Sequence, residues 1–231
     1  MKVVGTVLYG SQNYSLDTVQ SDRDYKIIVT PHFPELYSKK DLNGAAVPFG
    51  DPEHYSCMDV RTFANNLVKC NPNAIEMLFS TEMDDSFAAF RHLLEKWREP
   101  YIKGYVASQW DYFTKAIGGI MYESFKRYGV TPKTASRAVY FYNLVDYISH
   151  HNFLIDENVL RHKKVCDLPR KIRVLNSELF CKKSDDFMAL YRNLLDNISI
   201  AYDPVFHDDV FLKPAHEFVY NNMGGYDDYT I

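Results

Sequence analysis

The sequence predicts an α+β fold, with a small mixed sheet near the N-terminus and a largely helical remainder. Two apolar runs rich in β-branched and aromatic residues, 3–8 and 25–29, have the composition of strands. From residue 60 onward, apolar side chains recur at the spacing of amphipathic helices. A chain of 231 residues is long enough for one large domain or two small ones.

The sheet is expected to contain strands over residues 2–9 and 24–30, joined by a turn or a short helix. Pro31 and Pro34 end the second strand, because proline has no N–H to donate to a neighbouring strand. A third short strand is expected over residues 53–58. These three strands all lie in the first quarter of the chain, so the sheet must be small.

The first long helix is expected to begin after Asp59, whose carboxylate can accept a hydrogen bond from a free N–H of the first turn. Asn71 and Pro72 end that helix. Asn73, followed three residues later by Glu76, resembles a capping pair for the next turn. This pattern gives Glu76 a structural role, and no chemistry is assigned to it.

The rest of the chain is expected to be helical, with a polar stretch of loop and helix before the last predicted helix. No clear periodicity is present after residue 203, so no regular element is predicted there. The expected helices cover residues 87–97, 103–127, 133–150 and 184–199, and the loop and helix cover 152–173.

Composition and net charge limit the partners and the cellular compartment that are expected for this protein. The net charge of −4 gives no overall basic field for a nucleic acid, so a polynucleotide partner would need a local patch. The aromatic content of 15% fits either a tyrosine-rich core or base stacking. No signal peptide or membrane-spanning run is recognised, and no membrane partner is expected. The four cysteines lack metal-site spacing, which favours reduced thiols in a cytoplasmic protein: Cys57, Cys70, Cys166 and Cys181.

A pair of carboxylates, Asp22 and Asp24, stands at the start of the second predicted strand. Residues two apart on a strand point to the same face, so the two acids are expected to project together, with Arg23 pointing away. A shared divalent cation relieves their repulsion. Most Asp-x-Asp pairs, however, are solvated loop acids or helix caps, so the pair needs support from other residues.

That support comes from Gly10 and Ser11, which follow the first predicted strand. Glycine lets a ligand approach the backbone closely, and the serine hydroxyl can donate to a phosphate. A turn that enters a helix offers free N–H groups to the same anion. A phosphate-binding turn followed by metal-binding acids is the combination of groups that phosphoryl or nucleotidyl transfer requires.

These residues resemble the signature of the DNA polymerase beta nucleotidyltransferase superfamily. More narrowly, the segments 9–14 and 21–25 are similar to predicted nucleotidyltransferases of bacteria and their phages. The segments 58–63 and 69–80 resemble a conserved helix of that subfamily and the Asn-Pro turn after it. The resemblance covers roughly the first eighty residues, and Ser15 departs from it because the subfamily usually has glycine there.

The resemblance implies three carboxylates that hold Mg²⁺ or Mn²⁺, with the third acid on a later strand. At that position this chain has His54, which can itself bind a metal, mark lost catalysis, or be a half-buried, hydrogen-bonded strand histidine. Glu53 and Asp59 are the neighbouring acids that can substitute. Glu53 is taken as the third metal ligand, because Pro52 before it favours an irregular strand start that would turn its side chain toward the pair.

Lys133 and Arg137 are four residues apart and therefore share one helix face. In similar enzymes a helical domain supplies basic groups to the triphosphate, so the resemblance implies that role here. A solvated basic face is the alternative. Arg61 can pair with the acids or with a surface partner, and the basic cluster 161–164 can contact a polynucleotide backbone or remain solvated.

Taken together, these features predict a metal-dependent nucleotidyltransferase. Residues 1–85 would form the catalytic domain, residues 86–231 a helical domain that binds substrate and nucleotide, and the active cleft would lie between them. A nucleoside triphosphate would donate its nucleoside monophosphate to a hydroxyl on an RNA end, a protein or a small molecule. The alternative is a catalytically altered protein of the same fold that binds nucleotide, RNA or another protein.

Overall fold

A computed structural model of the protein describes residues 1–19, 21–38, 42–52, 54–84, 88–175, 184–198 and 209–222. The predicted α+β class is confirmed, since a three-stranded mixed sheet is accompanied by helices over most of the described chain. Among the described helices, none is both long enough and apolar enough to cross a membrane.

The sheet is formed by β1 (Lys2–Tyr9), β2 (Asp24–Thr30) and β3 (Tyr55–Asp59), in that order. β1 pairs with β2 antiparallel, and β2 pairs with β3 parallel. Tyr9 lies opposite Asp24, and the backbone N–H of Tyr25 donates to the carbonyl of His54 at 2.7 Å. The end of β1, the start of β2 and the residue before β3 therefore meet at one edge of the sheet.

Eleven helices lie in the described parts of the chain. They are α1 (Phe33–Tyr37), α2 (Val60–Val68), α3 (Pro72–Leu78), α4 (Ala88–Ile102), α5 (Tyr105–Ser108), α6 (Trp110–Tyr128), α7 (Pro132–Ser149), α8 (Glu157–Leu160), α9 (Lys163–Arg173), α10 (Ser184–Asp196) and α11 (Asp209–Asn222).

Most of the predicted helices are confirmed, with three differences. The helix predicted over 103–127 is two helices, because the chain breaks at Gln109 between α5 and α6. The helix predicted over 87–97 continues through Pro100 to residue 102 as α4. The stretch 209–222, for which no element was predicted, is α11.

The capping prediction for α3 is wrong. Asn71 is the N-cap, and its side chain accepts a hydrogen bond from the backbone N–H of Asn73 at 3.0 Å. Glu76 is buried inside the helix instead of bonding at its start. Asp59, by contrast, caps α2 as predicted, accepting from the N–H of Arg61 at 2.8 Å.

One hydrophobic core extends from the sheet into the helices. It joins apolar side chains of β1 and α2 to those of α4, α6, α7 and α11, across the predicted boundary near residue 85. A smaller cluster covers the opposite face of the sheet, where the segment around Leu42 packs on Ile27 and Val29. The continuous core holds the edge of the sheet against the helices, and this contact creates the site described next.

Candidate nucleotide-binding site

The loop after β1 is tightly folded around Gly10. Gly10 has φ of +83°, a conformation that glycine adopts at low cost. The loop is closed by backbone hydrogen bonds from Asn13 to Gly10 at 3.0 Å and from Leu16 to Ser11 at 2.8 Å. Ser15 also has a positive φ of 57°, which explains in physical terms why glycine suits this position.

Helices from the second half of the chain hold this loop in place. The Tyr14 ring stacks on Tyr140 of α7, with ring centroids 4.6 Å apart. Arg170 of α9 donates from Nε to the carbonyl of Ser15 at 2.7 Å, and Arg161 donates to the side chain of Asn13 at 3.2 Å. The loop is therefore fixed against the helices, and a cavity opens between them.

The cavity has a volume of about 600 Å³, which is the size of a small-molecule site. It lies between the loop after β1, the start of β2 and the N-terminal turns of α7. The residues of the predicted site that line it are Gly10, Ser11, Asp24, Lys133 and Arg137. Other polar groups on its wall include Tyr9, Asn73, Thr131, Thr134 and Arg173.

Asp24 is the carboxylate that faces this cavity. A Cβ placed on Gly10 would lie 3.3 Å from its Oδ2, so the absence of a side chain at Gly10 leaves room beside the carboxylate. Partial burial raises the pKa of Asp24, the Lys133 ammonium lowers it, and the Asp22 carboxylate raises it again. The net pKa is raised, and a bound cation would reverse that shift.

Asp22 lies just before β2, on the exposed chain, and does not line the cavity. Because β2 begins at Asp24, the expectation that both acids project from one face of a strand does not apply to Asp22. The two carboxylates are still close enough to repel each other. Two carboxylates supply the hard oxygen ligands that Mg²⁺ and Mn²⁺ accept, so these two side chains fit such an ion.

A third metal ligand is not found in the described parts of the chain, where no three His, Cys, Asp or Glu side chains are grouped to hold a metal ion. Glu53, the predicted third ligand, lies outside the described residues. Asp59 is ruled out as a substitute. It stands at the far end of β3, caps α2 and accepts a 3.0 Å hydrogen bond from Arg61 Nε. Arg61 accordingly pairs with Asp59 and not with Asp22 or Asp24.

His54 occupies the place next to Asp24. Its backbone carbonyl accepts a hydrogen bond from the N–H of Tyr25. Its ring lowers the pKa of Asp24 through electrostatic attraction. The Nδ1 atom of the ring is buried and has no hydrogen-bond partner among the described residues. A buried polar atom of this kind is costly unless a ligand or water satisfies it.

Lys133 and Arg137 share the face of α7 that borders the cavity. Thr131 caps α7 and Pro132 follows at the first turn, so this helix of eighteen residues begins at the cavity wall. The N-terminus of a helix carries partial positive charge and attracts phosphate. The basic cluster 161–164 is not simply a solvated patch. The Arg161 side chain is partly buried and donates to Asn13 Oδ1 and to the carbonyl of Phe79.

Glu76 is a site residue that the sequence did not reveal. It is 2% exposed and interacts electrostatically with Arg137 of the cavity wall. The three cysteines within the described ranges, Cys57, Cys70 and Cys166, are buried thiols outside any disulfide, as expected.

Comparison of the chain with protein-family models, curated proteins and solved structures finds no match. What the site can bind therefore follows from the side chains that line it.

Proposed function

We propose that the protein is a metal-dependent nucleotidyltransferase that moves a nucleoside monophosphate from a nucleoside triphosphate to a hydroxyl acceptor. The observation that supports this most strongly is the composition of the cavity. Gly10, Ser11, Asp24, Lys133 and Arg137 come from distant parts of the chain and line the same space. A carboxylate at one side and basic groups at the other match a metal-bound triphosphate.

Each side chain has a role in the proposed reaction. Ser11 and the tight turn at Gly10 bind the β- and γ-phosphates, and Lys133 and Arg137 balance their charge. Asp22 and Asp24 would hold Mg²⁺ or Mn²⁺, which supplies Lewis-acid stabilisation of the phosphate oxygens. The acceptor hydroxyl gives up its proton to solvent, and its oxygen forms a bond to the α-phosphorus. The bond from the α-phosphorus to the oxygen that bridges to the β-phosphate breaks, and pyrophosphate leaves.

The acceptor has room to approach from a neighbouring cavity. This second space, of about 520 Å³, shares Thr131, Lys133 and Arg173 with the first. Its remaining wall is more apolar and contains exposed Val19 and Val174. An RNA end, a protein side chain or a small molecule each remains an acceptor to be tested.

A second candidate function is nucleotide binding without transfer. The observation that favours it is His54, which stands beside Asp24 where the resemblance expects an acid. Of the two neighbouring acids that could substitute, Asp59 is engaged by Arg61, which leaves Glu53 as the candidate for the third carboxylate. If Glu53 does not reach the pair, the cavity would bind nucleotide and release it unchanged.

A labelling assay separates the two candidates. Each α-labelled nucleoside triphosphate is incubated with Mg²⁺ or Mn²⁺, and with RNA, the protein itself or small hydroxyl compounds as acceptor. Wild type is expected to transfer label, and Asp24→Asn to lower the rate by roughly 100-fold, since several kcal/mol of charge stabilisation is lost. Asp111→Asn on exposed α6 makes the same change away from the cavity and should retain the rate.

Metal-dependent nucleotide binding without any labelled product would favour the second candidate. Equal transfer by wild type and Asp24→Asn would contradict the proposed role of the carboxylate. Comparing Glu53→Gln with His54→Ala in the same assay then shows which of the two serves the acceptor side of the site.

A further inference from the structure

The carboxyl group of Glu76 is buried behind the cavity wall without a hydrogen-bond partner for Oε1 among the described residues. Its backbone is bound firmly, since the carbonyl accepts a hydrogen bond from the Asn13 side chain. Burial raises the pKa of this carboxyl to about 8. Burying a carboxyl oxygen without a hydrogen-bond partner is costly, so a role beyond stability is expected.

Arg137 lines the cavity and is bonded to α3, the helix that carries this acid. Its Nη2 donates to Oδ1 of Asn73, one turn before Glu76 on α3, at 2.8 Å. Its Nε is buried and has no partner among the described residues, and its guanidinium lies over the Phe141 ring at 5.4 Å. The guanidinium is thus held from behind by α3 and α7, while the side chain forms part of the cavity wall.

Glu76 and Arg137 influence each other electrostatically. Arg137 opposes the burial effect on the Glu76 pKa. Burial lowers the pKa of Arg137, whereas Tyr14, Glu76 and Tyr140 raise it. When Glu76 is neutral, the full charge of the guanidinium is available to an anion in the cavity. When Glu76 is ionised, it neutralises that charge from behind.

We propose that Glu76 is a positioning residue for Arg137, and that the proton on Glu76 keeps Arg137 available to bind a polyphosphate in the cavity. The identity of the anion rests on the proposed function, whereas the relation between the two side chains rests on their placement. Glu76 touches no reacting atom and acts only through Arg137.

The affinity of the cavity for an anion should therefore depend on pH. Glu76 is protonated below its raised pKa of about 8 and ionised above it, so anion affinity is highest at lower pH and falls as the pH rises through 8. By reciprocity, a bound anion favours the protonated acid, so binding near pH 8 takes up a proton.

Other titratable groups near Glu76 and Arg137 do not produce this change. Burial raises the pKa of Tyr14, of Tyr140 and of Tyr9 on the cavity wall, and it raises that of Tyr191 on α10, so all four stay neutral. Arg173 stays charged across this range. Burial lowers the pKa of Lys26 beside Asp24, but this group is present in every variant below and cancels in the comparison.

The test is titration calorimetry with inorganic tripolyphosphate, without divalent metal, from pH 6.5 to 9.5. Glu76→Gln keeps the shape of the neutral acid and cannot ionise, and Glu123→Gln makes the same change on the exposed surface of α6. Wild type and Glu123→Gln should lose about tenfold more affinity between pH 7 and 9 than Glu76→Gln does. Thermal unfolding checks that each variant is folded.

A second measurement detects the proton itself. At pH 8 the binding enthalpy of wild type, measured in buffers of different ionisation enthalpy, should show proton uptake, and Glu76→Gln should show less. Identical pH profiles for wild type and Glu76→Gln, or no proton uptake by wild type, would overturn the role of Glu76 and leave the proposed function standing. Failure of wild type to bind tripolyphosphate at any pH would overturn the role of Glu76 and the anion-binding role of Arg137, whereas the labelling assay with metal decides the proposed function.

Discussion

Single residues around the cavity show where local sequence patterns are informative. Asp59 was predicted as a helix cap and is one, because a carboxylate before an amphipathic stripe needs only its own helix to satisfy it. Glu76 also stands at a capping distance, three residues after Asn73, yet it is buried. Asn71 caps that helix instead, and the charged group that acts on Glu76 is Arg137, sixty-one positions away in the sequence.

The positive φ of Ser15 leads to a stability prediction at this scale. A non-glycine residue in the left-handed region is strained, so Ser15→Gly should raise the free energy of unfolding by about 0.5–1 kcal/mol. Ser38→Gly is the matched control, because Ser38 has an ordinary φ of −74° and glycine there only adds freedom to the unfolded chain. Denaturant unfolding measures both, and a destabilised Ser15→Gly would show that the loop does not hold this conformation.

At the scale of elements, strands and well-capped helices were predictable, whereas breaks between helices were not. The division between α5 and α6 at Gln109 has no proline or glycine at that position to reveal it. The last described helix, α11, was missed because Pro214 lies inside it and conceals the stripe formed by Phe211, Ala215, Phe218 and Val219. These apolar side chains are buried against the core.

The packing of α11 leads to a second stability prediction. The Phe211 ring lies 5.1 Å from the Tyr105 ring, and its backbone carbonyl accepts a hydrogen bond from Trp97 Nε1 at 3.2 Å. Phe211→Ala should therefore lower the free energy of unfolding by about 3–5 kcal/mol. Lys213→Ala on the exposed side of α11 should change it by less than about 0.5 kcal/mol. Similar small effects for both would mean that α11 does not pack on the core.

At the scale of the whole molecule, the sheet and the helices share one core, and the cavity lies where the edge of the sheet meets α7. No spacing rule places Gly10 and Asp24 beside Lys133 and Arg137, because the contact depends on how distant elements pack. The resemblance to nucleotidyltransferases suggested this meeting, and the resulting cavity contains these four residues. The predicted third metal ligand, Glu53, lies outside the described residues.

We propose that the cavity binds a nucleoside triphosphate together with a metal ion held by Asp24 on its wall and by Asp22 just outside it. The most direct measurement is the affinity for a non-hydrolysable nucleoside triphosphate with and without Mg²⁺ or Mn²⁺. Wild type and Asp111→Asn should bind it at least about tenfold more tightly with metal, and the double variant Asp22→Asn, Asp24→Asn should lose that gain while keeping its metal-free affinity. A double variant that binds as tightly as wild type in the presence of metal would contradict the claim.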